Sequence, residues 1–111
     1  MLRVDLRVSP EGLLRRFEAR GHAGAVRSGS SIACAAATVL LRTAGRVCAE
    51  HGMPYDGGAG MPGEMRLVVS PDACSETGWL RGVTDYLVRG MKDLQDEFPR
   101  EIILRVEMTE E

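Results

Sequence analysis

Leu2-Arg3-Val4-Asp5-Leu6-Arg7-Val8, then Ser9-Pro10-Glu11-Gly12, then Leu13-Leu14-Arg15-Arg16-Phe17-Glu18-Ala19-Arg20-Gly21: this opening stretch sets the fold. Leu2, Val4, Leu6 and Val8 alternate with charged residues, the period of two of a strand buried on one face. Ser9-Pro10-Glu11-Gly12 is a turn, because proline presets φ and glycine accepts positive φ. The apolar positions Leu13, Phe17 and Ala19, with Arg15, carry a second strand, so residues 2–21 form a hairpin ending at Gly21-His22. A chain that begins this way commits its first apolar face to one side of a sheet and needs a second layer to cover it.

The following residues supply that layer. Residues 23–30 are small and polar, a loop in which Ser30 or Ser31 can cap a helix. From Ile32 to about Ala49 the chain is alanine-rich, and Ala33, Ala36 or Ala37, Leu40, Ala44 and Val47 share one helical face. His51–Gly63 holds five glycines and two prolines, a composition expected to hold no regular structure and to move. Met65, Leu67 and Val69 read as a third strand. Trp79, Leu80, Val83, Tyr86, Leu87, Met91 and Leu94 recur every three to four residues up to Phe98, where Pro99 closes the helix. Ile102, Leu104, Val106 and Met108 form the last strand. The order ββαβαβ implies an α+β two-layer sandwich, a four-stranded sheet with two helices on one face. The 111 residues make one domain, 1–111, with no internal repeat or linker.

Composition narrows the function. Hydrophobic residues are 44% and charged residues 27%, an ordinary globular balance. A net charge of −2 gives no pull toward phosphate, which argues against direct nucleic-acid binding. No apolar run is read as reaching the ~20 residues of a membrane span, and the N-terminus is unlike a signal peptide. Three irregularly spaced cysteines imply no disulfide framework. Together these place the protein in the cytoplasm with reduced thiols.

Two residues carry the chemistry. Gly21-His22-Ala23 puts an imidazole just past a strand. Twelve residues after the histidine, Cys34 sits within Ser31-Ile32-Ala33-Cys34-Ala35-Ala36, in the first turn of the first helix if Ser31 is its cap. The free N–H groups of a helix N-terminus favour a thiolate, a neighbouring imidazole can accept the thiol proton, and the same N–H groups can hold an oxyanion. Set against this, a cysteine in an alanine-rich helix is commonly a small buried hydrophobe, and spacing in sequence does not establish proximity.

Gly21-His22-Ala23 followed by Gly29-Ser30-Ser31-Ile32-Ala33-Cys34-Ala35-Ala36 resembles the signature of the Prp (YsxB-like) ribosomal-processing cysteine protease family, and the resemblance extends to chain length and element order. It implies a homodimeric endopeptidase without cofactor or metal. Its members remove a short N-terminal extension from large-subunit ribosomal protein twenty-seven, cutting after a pair of aromatic residues. By the same resemblance His22 is the general base and Cys34 the nucleophile. Gly21, Ala23, Gly29, Ser31, Ala35 and Thr38 are supporting or substrate-binding positions, and a glycine-rich loop over the site falls at 52–63. Ser31 stands where the family pattern has aspartate, and Thr38 keeps a hydroxyl one turn beyond Cys34. The competing reading is a weak or inactive relative that binds a ribosomal protein or assembly factor through the same cleft.

Other residues read as structural. Cys48 and His51 have metal-ligand spacing, but Cys34 and Cys48 lie roughly 21 Å apart along one helix and cannot share an ion. Cys74 is given no role. Trp79, Tyr86 and Met91 are expected in the core. Arg15, Arg16 and Arg20 are read as an outer, solvated sheet face.

Overall fold

The computed structural model describes residues 2–21, 32–53, 55–58, 64–70 and 77–109. Five strands and two helices follow one another as β1 (Leu2–Val8), β2 (Leu14–Arg20), α1 (Ile32–Glu50), β3 (Tyr55–Gly58), β4 (Glu64–Val69), α2 (Gly78–Glu97) and β5 (Ile102–Met108). They build an α+β sandwich with the sheet order β3-β4-β2-β1-β5, all neighbours antiparallel except the β1–β5 pair. The order ββαβαβ holds, with β3 as an added edge strand. Residues 55–58 fall in the stretch whose composition spoke against regular structure. Pairing with β4 supplies the order that Tyr55-Asp56-Gly57-Gly58 lacks by propensity.

Leu2, Val4, Leu6, Phe17, Ala19, Leu67, Val69 and Ile102 face inward and join the buried residues of α1 (Ala33, Ala37, Leu41, Ala44, Cys48) and α2 (Leu80, Leu87, Met91) in one core. The opposite face of the sheet is open. Arg105, Asp5, Glu18 and Arg66 lie in one register row, and Glu107, Arg7, Arg16 and Val68 in the next. Glu18 bridges Arg16 at 3.0 Å and Arg20 at 2.6 Å, and the Arg20 hydrogen bond first of all holds its carboxyl below the ordinary range. Arg16 and Arg20 thus belong to a sign-balanced outer face.

The turn between β1 and β2 differs from a strict two-residue alternation. The register shifts between Arg7 and Val8, so Leu14 rather than Leu13 is fully buried. The Ser9 hydroxyl accepts the Leu13 N–H at 3.1 Å, and the Thr84 hydroxyl of α2 accepts the Leu14 N–H at 2.8 Å. Backbone donors freed by the bulge are thereby paired.

By length and composition α1 could cross a membrane, contrary to the sequence expectation. Its apolar character has a second use here, since one face packs into the core. α1 ends in a Schellman motif: Gly52 has φ +69°, its N–H donates to Ala49 O at 3.0 Å, and the Met53 N–H donates to Cys48 O at 3.0 Å. Two apolar expectations are corrected. Tyr86 is 74% exposed, because it lies on the flank of α2 rather than on its Leu80–Thr84–Leu87–Met91 stripe. Val106 and Met108 are 40% and 72% exposed, because the helical layer does not cover the end of the edge strand. Trp79 is half-buried against the core and stacks on the exposed His51 with centroids 3.9 Å apart, while Met91 is fully buried.

Candidate active site

Cys34 is the third residue of α1, half-buried, and packed against the core without belonging to its centre. At 3.6 residues per turn it lies about 60° to one side of the Ala33–Ala37–Leu41–Ala44–Cys48 stripe. Leu40, Ala44 and Val47, with Val83 and Leu87 of α2, line the groove on the other side of α1. The thiol is therefore on the flank turned away from α2. α2 packs on β5 and β2, which leaves α1 over the half of the sheet carrying Leu67 and Val69.

Cys34 also sits at a defined end of the molecule. His51 at the end of α1 stacks on Trp79 at the start of α2, and a Cβ on Gly90 would lie 3.0 Å from a Leu40 methyl. The two helices thus run antiparallel, and the first turn of α1 lies toward Phe98 at the end of α2. There the Ile102 N–H donates to Phe98 O at 3.1 Å, Ile102 pairs with Leu2, and Arg3 pairs with Arg20. The sheet end at which β2 hands the chain on to Gly21 is the end at which α1 begins. Gly21 has φ +91°, in the left-handed region that favours glycine, so a glycine before His22 has a backbone reason.

Around Cys34 the other predicted positions fall as follows. Thr38 donates its hydroxyl to the Cys34 carbonyl oxygen at 2.8 Å, clasping the first turn of the helix. Ala35 is exposed. His22, Ala23, Gly29 and Ser31 lie outside the described residues, as do Cys74 and residues 59–63 of the glycine-rich segment. The described residues therefore bring Cys34, Thr38 and Gly21 to one end of the fold and do not include the His22 imidazole. Cys48 is fully buried, and among the described residues no group of three or more His, Cys, Asp or Glu side chains is placed to hold a metal ion.

The chemistry available at Cys34 is that of a thiol at a helix N-terminus. The backbone N–H groups of the first turn of α1 have no partners within the helix and carry its positive dipole end. Such N–H groups can donate to an oxyanion placed beside the sulfur.

Comparison with solved structures gives the same fold. The chain is similar to the essential ribosomal processing protease Prp from Staphylococcus aureus in complex with a covalently linked product peptide. The TM-score is 0.79 at 19% identity, over 96% of this chain and 100% of that one. The same protease with a substrate peptide gives a TM-score of 0.77 at 17% identity, again over 96% and 100%. SMU.848 from Streptococcus mutans gives 0.73 at 16% identity, over 98% and 96%. No curated protein matches the chain. The family model for cysteine protease Prp matches residues 1–103, and with that span, which takes in both the hairpin and α1, the chain belongs to the Prp family of cysteine proteases.

Proposed function

We propose that this chain is an endopeptidase that removes a short N-terminal extension from large-subunit ribosomal protein twenty-seven, with Cys34 as nucleophile and His22 as general base. The observation that carries the reading is the position of Cys34, half-buried in the first turn of α1 at the end of the sheet where β2 leads into Gly21-His22. In the reaction His22 takes the Cys34 proton and the sulfur attacks the scissile carbonyl carbon. The oxyanion that forms is held by first-turn N–H groups, and the proton passes to the leaving amine as the C–N bond breaks. Water, deprotonated by His22, then hydrolyses the thioester and returns the thiol. Such an enzyme requires no cofactor. A cytoplasmic location and a homodimeric state belong to the same proposal.

Ser31, in place of the aspartate of the family pattern, favours one second reading: a weak or inactive relative that binds a ribosomal protein or assembly factor through the same cleft. Incubation with a peptide carrying the extension separates the two. The unmodified protein is expected to cut it, and Cys34→Ala and His22→Ala to leave it intact. Absence of cleavage by the unmodified protein would sink the substrate assignment, and equal cleavage by Cys34→Ala would sink the nucleophile. Alkylation of Cys34 at neutral pH, markedly faster than that of Cys48, is the corresponding test of thiol activation.

A further inference from the structure

β5 is an edge strand whose two halves are finished differently. Its odd residues bond to β1, as in the Leu2 N–H to Glu101 O bond of 2.9 Å and the Thr109 N–H to Val8 O bond of 2.8 Å. Its even residues turn their backbone groups outward. Two of these are occupied within the chain: the Ile102 N–H donates to Phe98 O at 3.1 Å, and the Leu104 N–H donates to Gln95 Oε1 at 2.7 Å. Past Leu104 the edge has no such cover among the described residues. There the outward N–H groups of Val106 and Met108 coincide with exposed apolar side chains on the helix side of the sheet. A groove of about 390 Å³ between this end of β5 and α2, lined by Val8, Val88, Val106 and Met108 among others, runs beside them. On the open side, Arg105 and Glu107 flank Val106; both are exposed, and within one chain they form a loose ion pair at 3.4 Å that leaves each free to meet its opposite across a seam.

We propose that a second copy of this chain pairs antiparallel with the β5 edge about a two-fold axis at Val106, joining the two sheets into one. The proposal rests on the reading that the chain self-associates, and it names the surface. An axis at Val106 makes each Val106 exchange N–H···O bonds with its counterpart, and it sets the Met108 N–H against the Leu104 carbonyl of the partner. Arg105 then faces Glu107 across the seam, twice, so the edge is self-complementary in charge, as an isologous interface demands. Leu104 meets Met108, and the two Val106 side chains meet, which covers the apolar side chains that α2 leaves exposed. An axis at Leu104 does none of this: Arg105 would face Ile103, and Glu107 would face Glu101. It would also need the Leu104 N–H that Gln95 already holds.

The test is charge reversal read by analytical ultracentrifugation, with circular dichroism to establish folding. The unmodified protein is expected to be a dimer. Arg105→Glu and Glu107→Arg, each alone, place like charges across the seam twice and should weaken association by about tenfold or more. The two single variants mixed should form a heterodimer, since the carboxylates of one copy then meet the guanidinium groups of the other. The double variant Arg105→Glu/Glu107→Arg should regain the homodimer. Val106→Pro removes the central donors and should leave a folded monomer. A dimer that neither charge reversal nor the proline weakens, or single variants that fail to pair when mixed, would overturn the β5 seam while leaving self-association intact. An unmodified protein that is monomeric at every concentration would overturn both.

Discussion

Thr84→Val probes the joint between the hairpin and α2. Thr84 is 2% exposed, its hydroxyl accepts the Leu14 N–H at 2.8 Å, and it donates to Leu80 O at 2.7 Å. Valine has nearly the same shape, so no cavity opens and the helix keeps its packing. The loss is specific: the Leu14 N–H, at the bulge where the register shifts, is left buried without its partner. Leu80 O is a helical carbonyl with a backbone donor of its own, so the cost on that side is small. An orphaned buried donor costs about 1–3 kcal/mol. The strand cannot slip to recover it, because a one-residue shift would turn Phe17 and Ala19 toward solvent.

For a domain of this size each kcal/mol lowers Tm by roughly 4–8 °C. Thr84→Val should therefore melt on the order of 8–16 °C lower for a mid-range loss of about 2 kcal/mol. Thr84→Ser keeps the hydroxyl and loses one methyl group, at about 1 kcal/mol. Calorimetric melting of the three proteins gives the comparison. A valine variant as stable as the serine variant, or more so, would refute the assignment of that hydroxyl to the bulge N–H. It would also mean that the register between β1 and β2 is held by apolar packing alone.

Three further outcomes follow from individual residues. Gly52→Ala forces a side chain into φ +69° at the Schellman turn and should cost about 1–2 kcal/mol, read as a lower urea midpoint at unchanged slope. Glu18 has its carboxyl held below the ordinary 4.5, chiefly by the Arg20 hydrogen bond, so the folded state binds its proton less readily than the unfolded chain. Its stabilisation is full above pH 4.5 and is lost as pH falls below that value through the lower folded value. Glu18→Gln should then lower stability slightly at pH 7, by less than about 1 kcal/mol, and not at all near pH 2, where equal deficits at both would contradict the pairing. Met91→Ala, at a fully buried position, should lose about 2–5 kcal/mol in the same urea titration, and a loss under about 1 kcal/mol would refute its place in the core.

The sequence showed the sandwich because its strands and helices alternate at their proper periods. Leu2-Val4-Leu6 and Leu80-Leu87-Met91 point inward, as a period of two and a period of 3.6 require. What stayed hidden depends on contacts between distant residues. β3 is made by pairing with β4, not by the preference of Tyr55-Asp56-Gly57-Gly58. Leu14 replaces Leu13 in the core because a bulge is closed by Thr84, seventy residues away. Thr84 and Gln95 read as unremarkable polar residues of an amphipathic helix until the sheet is laid against them. At the site, the place of Cys34 in the first turn of α1 was legible because the start of the apolar helical run at Ile32 is a local signal. Its flank, turned away from α2, was not, since the sequence alone could not say which side of α1 the second helix occupies.

The arrangement of α1 ties the core to the chemistry. Cys34 and Cys48 lie on the same helix with opposite environments. Cys48 is fully buried near the Schellman turn, whereas Cys34 is half-buried in the first turn, beside the positive end of the dipole. Identical side chains are thus separated in exposure, at opposite ends of one helix and about four turns apart. Ala37 and Ala44, between them, lie on the buried face of α1, in the same core cluster as the inward side chains of the sheet. A larger residue at Ala37 would lift the helix and displace the first turn together with Cys34, so packing in the middle of α1 and the position of the thiol are one constraint. The same economy explains why α1 is apolar enough to pass for a membrane span: one flank carries the thiol, the opposite one meets α2, and the face between them fills the core.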